Sequence, residues 1–105
     1  LEYSFLRWVL TPAVRFDLIN FVNEQEEVSL NERIYRIDYA IFGGEIKLAV
    51  ELDGFEFHGS RQAFSYDRLR QNDLQAAGWT ILRFSYGSIR NETSRCVAQL
   101  QAILE

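Results

Sequence analysis

Residues 34–53, with the sequence IYRIDYAIFGGEIKLAVELD, decide the fold of this 105-residue chain. The stretch holds two runs of β-branched, aromatic and polar residues, at 34–42 and 45–53, which are separated by Gly43-Gly44. Two glycines between such runs are typical of a tight hairpin loop, because glycine adopts the positive φ angles that the loop needs. We therefore predict an antiparallel hairpin whose loop is Gly43-Gly44.

The predicted hairpin separates charged from apolar side chains. The two-glycine loop pairs Phe42 with Glu45. Because side chains alternate across a strand, Asp38 then shares a face with Glu51 and Asp53. The opposite face collects the apolar residues Ile37, Tyr39, Ile41, Ile46, Leu48, Val50 and Leu52. In this register Asp38 and Glu51 are diagonal neighbours, roughly 7–8 Å or less apart between their Cβ atoms.

Carboxylates this close repel one another unless a metal ion, a proton or an arginine compensates their charge. Hard oxygen ligands favour Mg²⁺ or Mn²⁺ over zinc. We therefore predict that Asp38, Glu51 and Asp53 hold a divalent cation. The alternative is a solvated outer face of the sheet, on which Arg36 and Lys47 neutralise the acids.

The single histidine of the chain, His58, follows Asp53 by five residues. A neutral imidazole beside a metal-activated water acts as a general base, or as an acid toward the leaving oxygen. We predict this proton-transfer role for His58, with a structural histidine as the alternative.

Helical and strand patterns flank the hairpin. Before it, apolar spacing and Thr11-Pro12 predict two helices that end near residue 21, and the polar stretch 23–31 predicts a loop with at most a short strand. After it, the patterns predict a helix at 62–77 that ends at Gly78, a strand at 79–84 and a helix at 91–105. This order, α-(α)-β-β-α-β-α, predicts one α/β domain with a mixed β-sheet flanked by helices.

Composition narrows the class of protein. The single cysteine, Cys96, excludes an internal disulfide and a multi-cysteine zinc site. Neither a long apolar run nor a leader is visible, so we expect a soluble, cytoplasmic protein with no membrane partner. The chain lacks methionine even at position 1, which favours a domain excised from a longer protein.

The net charge of −4 argues against a nucleic-acid partner, but the charge is unevenly spread. Residues 1–57 carry five basic and eleven acidic side chains (−6), whereas residues 58–105 carry six arginines against four acids (+2). Such a split fits ordinary scatter of surface charge, and it also fits an acidic site that faces a basic rim.

Four segments together resemble a known family. They are RIDYAI from Arg36, LAVELDGFEFH from Leu48, YDRLR from Tyr66 and GWTILRF from Gly78. As a set they resemble the Vsr-like nucleases of the PD-(D/E)XK restriction-endonuclease-like superfamily, which include very-short-patch-repair enzymes and phage homing endonucleases. The resemblance covers most of the chain. It implies a restriction-endonuclease-like fold and hydrolysis of DNA phosphodiester bonds with Mg²⁺ or Mn²⁺.

The resemblance also implies roles for single residues. Asp38 matches the metal-binding aspartate of the first motif, and Glu51 and Asp53 match the second motif. Asp53 stands where the wider superfamily has a lysine, and Vsr-like members that lack this lysine use a histidine, which His58 matches. Two further acids match family positions, Asp67 at the start of the following helix and Glu2 on the first helix. For Glu2, an exposed glutamate favoured by the helix dipole is the alternative.

Arginines follow the hairpin. The helical spacing places Asp67, Arg70, Leu74 and Ala77 on one face, with the first two toward the site. Because guanidinium groups match phosphate oxygens, we predict phosphate contacts for Arg61, Arg68, Arg70 and Arg83. For Arg83, pairing with a carboxylate of the sheet is the alternative, and Trp8 and Trp79 are predicted in the core.

The hypothesis is therefore a Mg²⁺-dependent endodeoxyribonuclease whose catalytic domain spans residues 1–105. The alternatives are a catalytically inactive nuclease-like fold that binds nucleic acid and a structural domain with a solvated acidic face. We expect a module for DNA recognition outside this chain, and cutting of both strands favours a homodimer.

Overall fold

Four strands and three helices form the part of the chain that the computed structural model describes, residues 21–30, 32–53 and 61–104. In chain order they are β1 (Phe21–Leu30), β2 (Arg33–Gly43), β3 (Ile46–Asp53), α1 (Arg61–Ala76), β4 (Thr80–Ser85), α2 (Tyr86–Asn91) and α3 (Thr93–Leu104). The two helices predicted before residue 21 lie outside the described residues. None of the described helices is long and apolar enough to cross a membrane.

The strands form one mixed sheet in the order β1-β2-β3-β4. Strands β1, β2 and β3 are antiparallel neighbours, whereas β4 runs parallel to β3. Parallel neighbours need a crossover connection, and α1 lies in the chain between these two strands. The predicted α/β class with a mixed sheet and helices is therefore confirmed.

Strand β1 corrects the prediction of a loop at residues 23–31. It pairs with β2 from Phe21↔Phe42 to Leu30↔Arg33. Most of its side chains are polar because β1 lies at the edge of the sheet, and its apolar residues Val22, Val28 and Leu30 pack against the buried core. The predicted final helix at 91–105 is confirmed as α3, which begins at Thr93, whereas the short helix α2 before it was not predicted.

The hairpin register differs from the prediction by two residues. Phe42 pairs with Lys47 and Gly43 with Ile46, so the predicted pairing of Phe42 with Glu45 is wrong. The turn begins at Gly44, whose φ is 58°, and Gly43 still belongs to β2. A shift of two residues keeps the paired side chains on their predicted faces, and Asp38 lies just beyond the last pair, Tyr39↔Val50.

The buried apolar residues form two clusters. One cluster joins the sheet to α2 and α3 and contains Tyr39, Ile41, Leu48, Val50, Phe84, Ile89, Cys96, Leu100 and Leu104. The other joins the sheet to α1 and contains Ile37, Ala40, Ala49, Leu74 and Trp79, so the prediction of a buried Trp79 is confirmed. The sheet is therefore covered by helices on both faces.

Ile37 lies in a different cluster from the one predicted. It packs in the same cluster as Ala40 and Leu74, whereas Tyr39, two residues later, lies in the other cluster. Strict alternation would put Ile37 and Tyr39 on one face, so the alternation breaks between them. Gln25, in β1, has a positive φ of 52° at this level, and the residue between Ile37 and Tyr39 is Asp38.

Candidate active site

Asp38 lies where β2 and β3 separate. Counted away from the turn, the last residue pair of the two strands is Tyr39↔Val50, and Asp38 is the next residue of β2. Beyond that point the carboxylate replaces the backbone ladder, because its Oδ2 accepts a hydrogen bond of 2.8 Å from the amide of Leu52. The irregularity in β2 therefore fixes the Asp38 carboxylate against the backbone of β3.

Glu51, on β3, is the one buried charged residue of the described part of the chain, with 7% of its surface exposed. Its Oε1 is held by Nη2 of Arg70 from α1, and the same nitrogen donates to the carbonyl of Arg36 at 2.6 Å. Burial raises the pKa of Glu51, the Arg70 guanidinium opposes this, and the charge of Asp38 adds to the rise. The site therefore favours any additional positive charge beside Glu51.

Arg83 joins β3 and α1 from its place on β4. It donates to both carboxylate oxygens of Asp53, from Nε at 3.2 Å and from Nη2 at 2.9 Å. Its Nη1 donates to Asp67 and to Gln71, each at 3.1 Å. The hydrogen bond to Asp53 raises the pKa of Arg83, while burial opposes the rise. This is the carboxylate pairing that the sequence left open as the alternative for Arg83.

Two further arginines, Arg61 and Arg68, are predicted to contact phosphate. Arg61 and Arg68 are exposed on α1, and the Arg68 guanidinium lies over the Phe64 ring, 4.7 Å from its centroid. The phosphate contacts of all four arginines stay predictions. His58, Glu2 and Trp8 lie outside the described residues.

The acids divide into two groups with different chemistry. Asp38 and Glu51 interact with each other, and their hard oxygen donors fit Mg²⁺ or Mn²⁺. Asp53 and Asp67 are instead bound to Arg83. Among residues 21–30, 32–53 and 61–104 there is no group of three His, Cys, Asp or Glu side chains placed to hold a metal ion.

A family model named REase_MTES_1575 matches residues 20–104, which include all the acids and arginines described above. The chain belongs to the REase_MTES_1575 family. This is a restriction endonuclease-like family, and membership indicates a nuclease. It agrees with the PD-(D/E)XK superfamily that the sequence resembles, while the narrower Vsr-like type stays a prediction.

Two curated relatives from Mycobacterium tuberculosis resemble this REase_MTES_1575 chain. They are Uncharacterized protein MT2308 of strain CDC 1551 / Oshkosh and Uncharacterized protein Rv2248 of strain ATCC 25618 / H37Rv. Each is 29% identical over 72 residues, which cover 69% of this chain and 26% of the relative. The chain thus matches about a quarter of the length of these relatives. No solved structure matches it significantly.

The sequence interpretation of this REase_MTES_1575 chain missed the partners of two side chains. Arg70 binds Glu51, and its position three residues after Asp67 was the available signal that it faces the sheet. Lys47 does not neutralise the acids, because its Nζ donates to the carbonyl of Ala77 at 2.8 Å and lies 5.3 Å from the centroid of the Trp79 ring. Lys47 thereby binds a carbonyl just past the end of α1. No local sequence pattern indicates this contact.

Proposed function

We propose that this chain is a metal-dependent DNA endonuclease that hydrolyses phosphodiester bonds, of the Vsr-like or homing type. The observation that carries the proposal is the pair formed by Asp38 and Glu51. One carboxylate is fixed by the backbone of Leu52, and the other is buried with a raised pKa. A divalent cation bound by this pair would offset both the cost of burying the Glu51 charge and its repulsion from Asp38.

In this proposal Asp38 and Glu51 would hold Mg²⁺ or Mn²⁺, and the ion would activate a water and offset charge on the phosphate. Arg70 orients the Glu51 carboxylate through the hydrogen bond between them. His58 moves the proton at the water or at the leaving oxygen, and Glu2 assists as a further acid. The last two roles rest on the resemblance of the sequence.

Arg83 contributes by position rather than by contact with the metal. It holds Asp53 of β3 and Asp67 of α1 on one guanidinium, which fixes the helix against the strand that carries Glu51. In this proposal Asp53 therefore acts mainly as the partner of Arg83, and its predicted contact with the metal is secondary. Asp67 orients the site through Arg83.

The test is cleavage of supercoiled plasmid DNA in Mg²⁺, in Mn²⁺ and in EDTA. The key variant is Asp38→Asn, because the amide oxygen still accepts the hydrogen bond from Leu52 and the fold is kept. The matched control is Glu24→Gln, which removes an exposed charge from the same sheet. We expect metal-dependent nicking by the wild type and the control, and a loss of at least about 100-fold in Asp38→Asn.

Isothermal titration with Mn²⁺ separates binding from cleavage. Saturable binding to the wild type should disappear in Asp38→Asn and persist in Glu24→Gln. A protein that cuts no DNA in either metal, and whose Mn²⁺ titration is unchanged by Asp38→Asn, contradicts the proposal.

One observation favours the second candidate, a nuclease-like fold that binds nucleic acid without cutting it. Glu51, Asp53 and Asp67 already have arginine partners in the described part of the chain, so three acids are compensated without a metal. This candidate predicts that DNA binds, that no product forms and that Mn²⁺ gives no saturable heat.

A further inference from the structure

A pocket of about 370 Å³ opens between β1, β2 and α1. It is lined by Glu27, Ile34, Tyr35, Arg36, Tyr66 and Arg70. Its size lies in the lower part of the ~300–1,000 Å³ range of ligand sites. Because Arg70 both lines the pocket and binds Glu51, the pocket adjoins the candidate active site through one side chain.

The pocket has one fixed and one open aromatic wall. Tyr35 is buried, and its hydroxyl donates to Oδ2 of Asp73 at 2.6 Å, which locks the ring in place. The Tyr66 ring meets the Tyr35 ring edge to face, with centroids 6.3 Å apart. Tyr66 is nevertheless 52% exposed, so much of its surface is left for a ligand.

The polar groups at the rim narrow the class of ligand. Arg36 is exposed and offers a guanidinium to a phosphate. Glu27, exposed on β1, offers a carboxylate that accepts from the exocyclic amino group of a base. A nucleotide suits this pocket, because its flat ring can meet the aromatic wall, its phosphate the cationic group and its amino group the carboxylate.

We propose that this pocket binds one unpaired nucleobase of the DNA strand, next to the phosphate that Asp38 and Glu51 receive. The proposal rests on the proposed function, because it takes DNA as the substrate. Tyr66 stacks on the base, Arg36 contacts its phosphate, and Arg70 links the pocket to the carboxylates. The base is unpaired because its face is accessible to a side chain only outside the duplex stack.

The first test measures DNA binding by fluorescence anisotropy in EDTA at fixed salt, where no metal-dependent hydrolysis takes place. The probe is a short fluorescein-labelled duplex with one unpaired base. Tyr66→Ala should weaken binding by roughly 5- to 100-fold, the loss typical of removing one stacking aromatic. Tyr66→Phe keeps the ring and should restore the affinity.

Phe64→Ala is the matched control. Phe64 is 51% exposed on the same helix, but it does not line the pocket and its ring lies under Arg68. This variant should bind the probe like the wild type. Thermal melting of all variants checks that they fold, which we expect because both rings are half exposed.

The second test replaces the unpaired base of the probe by an abasic residue. The loss of affinity of the wild type for the abasic probe should equal the loss caused by Tyr66→Ala with the first probe. The Tyr66→Ala variant should bind the two probes equally. Absence of binding by the wild type, equal affinity for both probes, or an equal loss in Phe64→Ala overturns the proposal. Plasmid cleavage is measured separately. If the wild type distinguishes the two probes but does not cut plasmid, only the proposed hydrolysis is refuted. If it cuts plasmid but binds both probes equally, only the proposed base-binding pocket is refuted.

Discussion

Replacing Arg70 by methionine tests the electrostatics of the candidate site. The side chains of Arg70 and Glu51 are 11% and 10% exposed, so their ion pair is largely removed from water. Methionine keeps an apolar stem of similar course and removes the guanidinium. Glu51 then remains buried beside Asp38 without the partner that opposes its raised pKa. We therefore expect a large loss of stability at neutral pH.

The size of this loss has an upper bound. Removing one partner of a buried ion pair costs about 3–5 kcal/mol. Glu51 can avoid an unpaired buried charge by binding a proton, which costs about 1.4 kcal/mol per pH unit above the ordinary glutamate pKa of about 4.3. The ionic part is thus limited to about 4 kcal/mol at pH 7. The lost hydrogen bond to the carbonyl of Arg36 adds about 1 kcal/mol at every pH.

The loss must depend on pH in one direction. A carboxyl whose pKa is raised by folding contributes its full stability below its unfolded pKa, and this contribution disappears as the pH rises through the folded pKa. Burial raises the pKa of Glu51, and removal of Arg70 raises it further. The variant should therefore approach the wild type to within about 1 kcal/mol near pH 4 and be less stable by about 3–5 kcal/mol at pH 7.

Urea unfolding followed by tryptophan fluorescence, near pH 4 and at pH 7, measures the difference. Arg68→Met is the matched control, because Arg68 is exposed two residues earlier on the same helix, and it should change stability by less than about 0.5 kcal/mol. The double variant Glu51→Leu/Arg70→Met should recover most of the loss, since it buries no charge. An equal loss at both pH values, or an equal loss in Arg68→Met, refutes the reasoning.

Two further predictions concern the helices. Gly78→Ala should lower the free energy of unfolding by about 1 kcal/mol or more, because Gly78 has a φ of 95°. The control is Gly87→Ala, whose added Cβ meets no atom within 4 Å and which should lower the stability clearly less. Thermal melting of both variants measures the difference. Burial raises the pKa of the Cys96 thiol, and the charge of Glu92 adds to this, so iodoacetamide at pH 8 should modify the native protein at least roughly tenfold more slowly than the urea-unfolded chain. Equal rates in the two states contradict that prediction.

Local patterns predicted much of the hairpin and of α1. The face shared by Tyr39, Ile41, Leu48 and Val50 follows from alternation alone, and these residues lie in one cluster. The end of α1 at Ala76, just before the positive φ of Gly78, follows from the conformational freedom of glycine. The exact loop did not follow, because either glycine of the pair can begin the turn and the positive φ falls on Gly44.

Non-local contacts decided the rest. Strand β1 resembles a polar loop because only Val22, Val28 and Leu30 of its side chains pack against the core, and its backbone pairing with β2 leaves little trace in the side-chain pattern. Ile37 left its predicted face because β2 becomes irregular at Asp38, where a carboxylate takes the place of the ladder. That irregularity depends on the neighbouring strand, which a period-two rule does not include.

By itself the sequence determined which residue types are available for chemistry, and the spacing that puts Asp38 and Glu51 on one side of a hairpin. Only the tertiary structure decided which acids are compensated and by what. Arg70 comes from a helix, 19 residues along the chain from Glu51, and Arg83 comes from a parallel strand, 30 residues from Asp53 and 16 from Asp67. The physical reason is that charge pairing depends on distance in space and on burial, both of which arise only when the crossover brings β4 and α1 against β3.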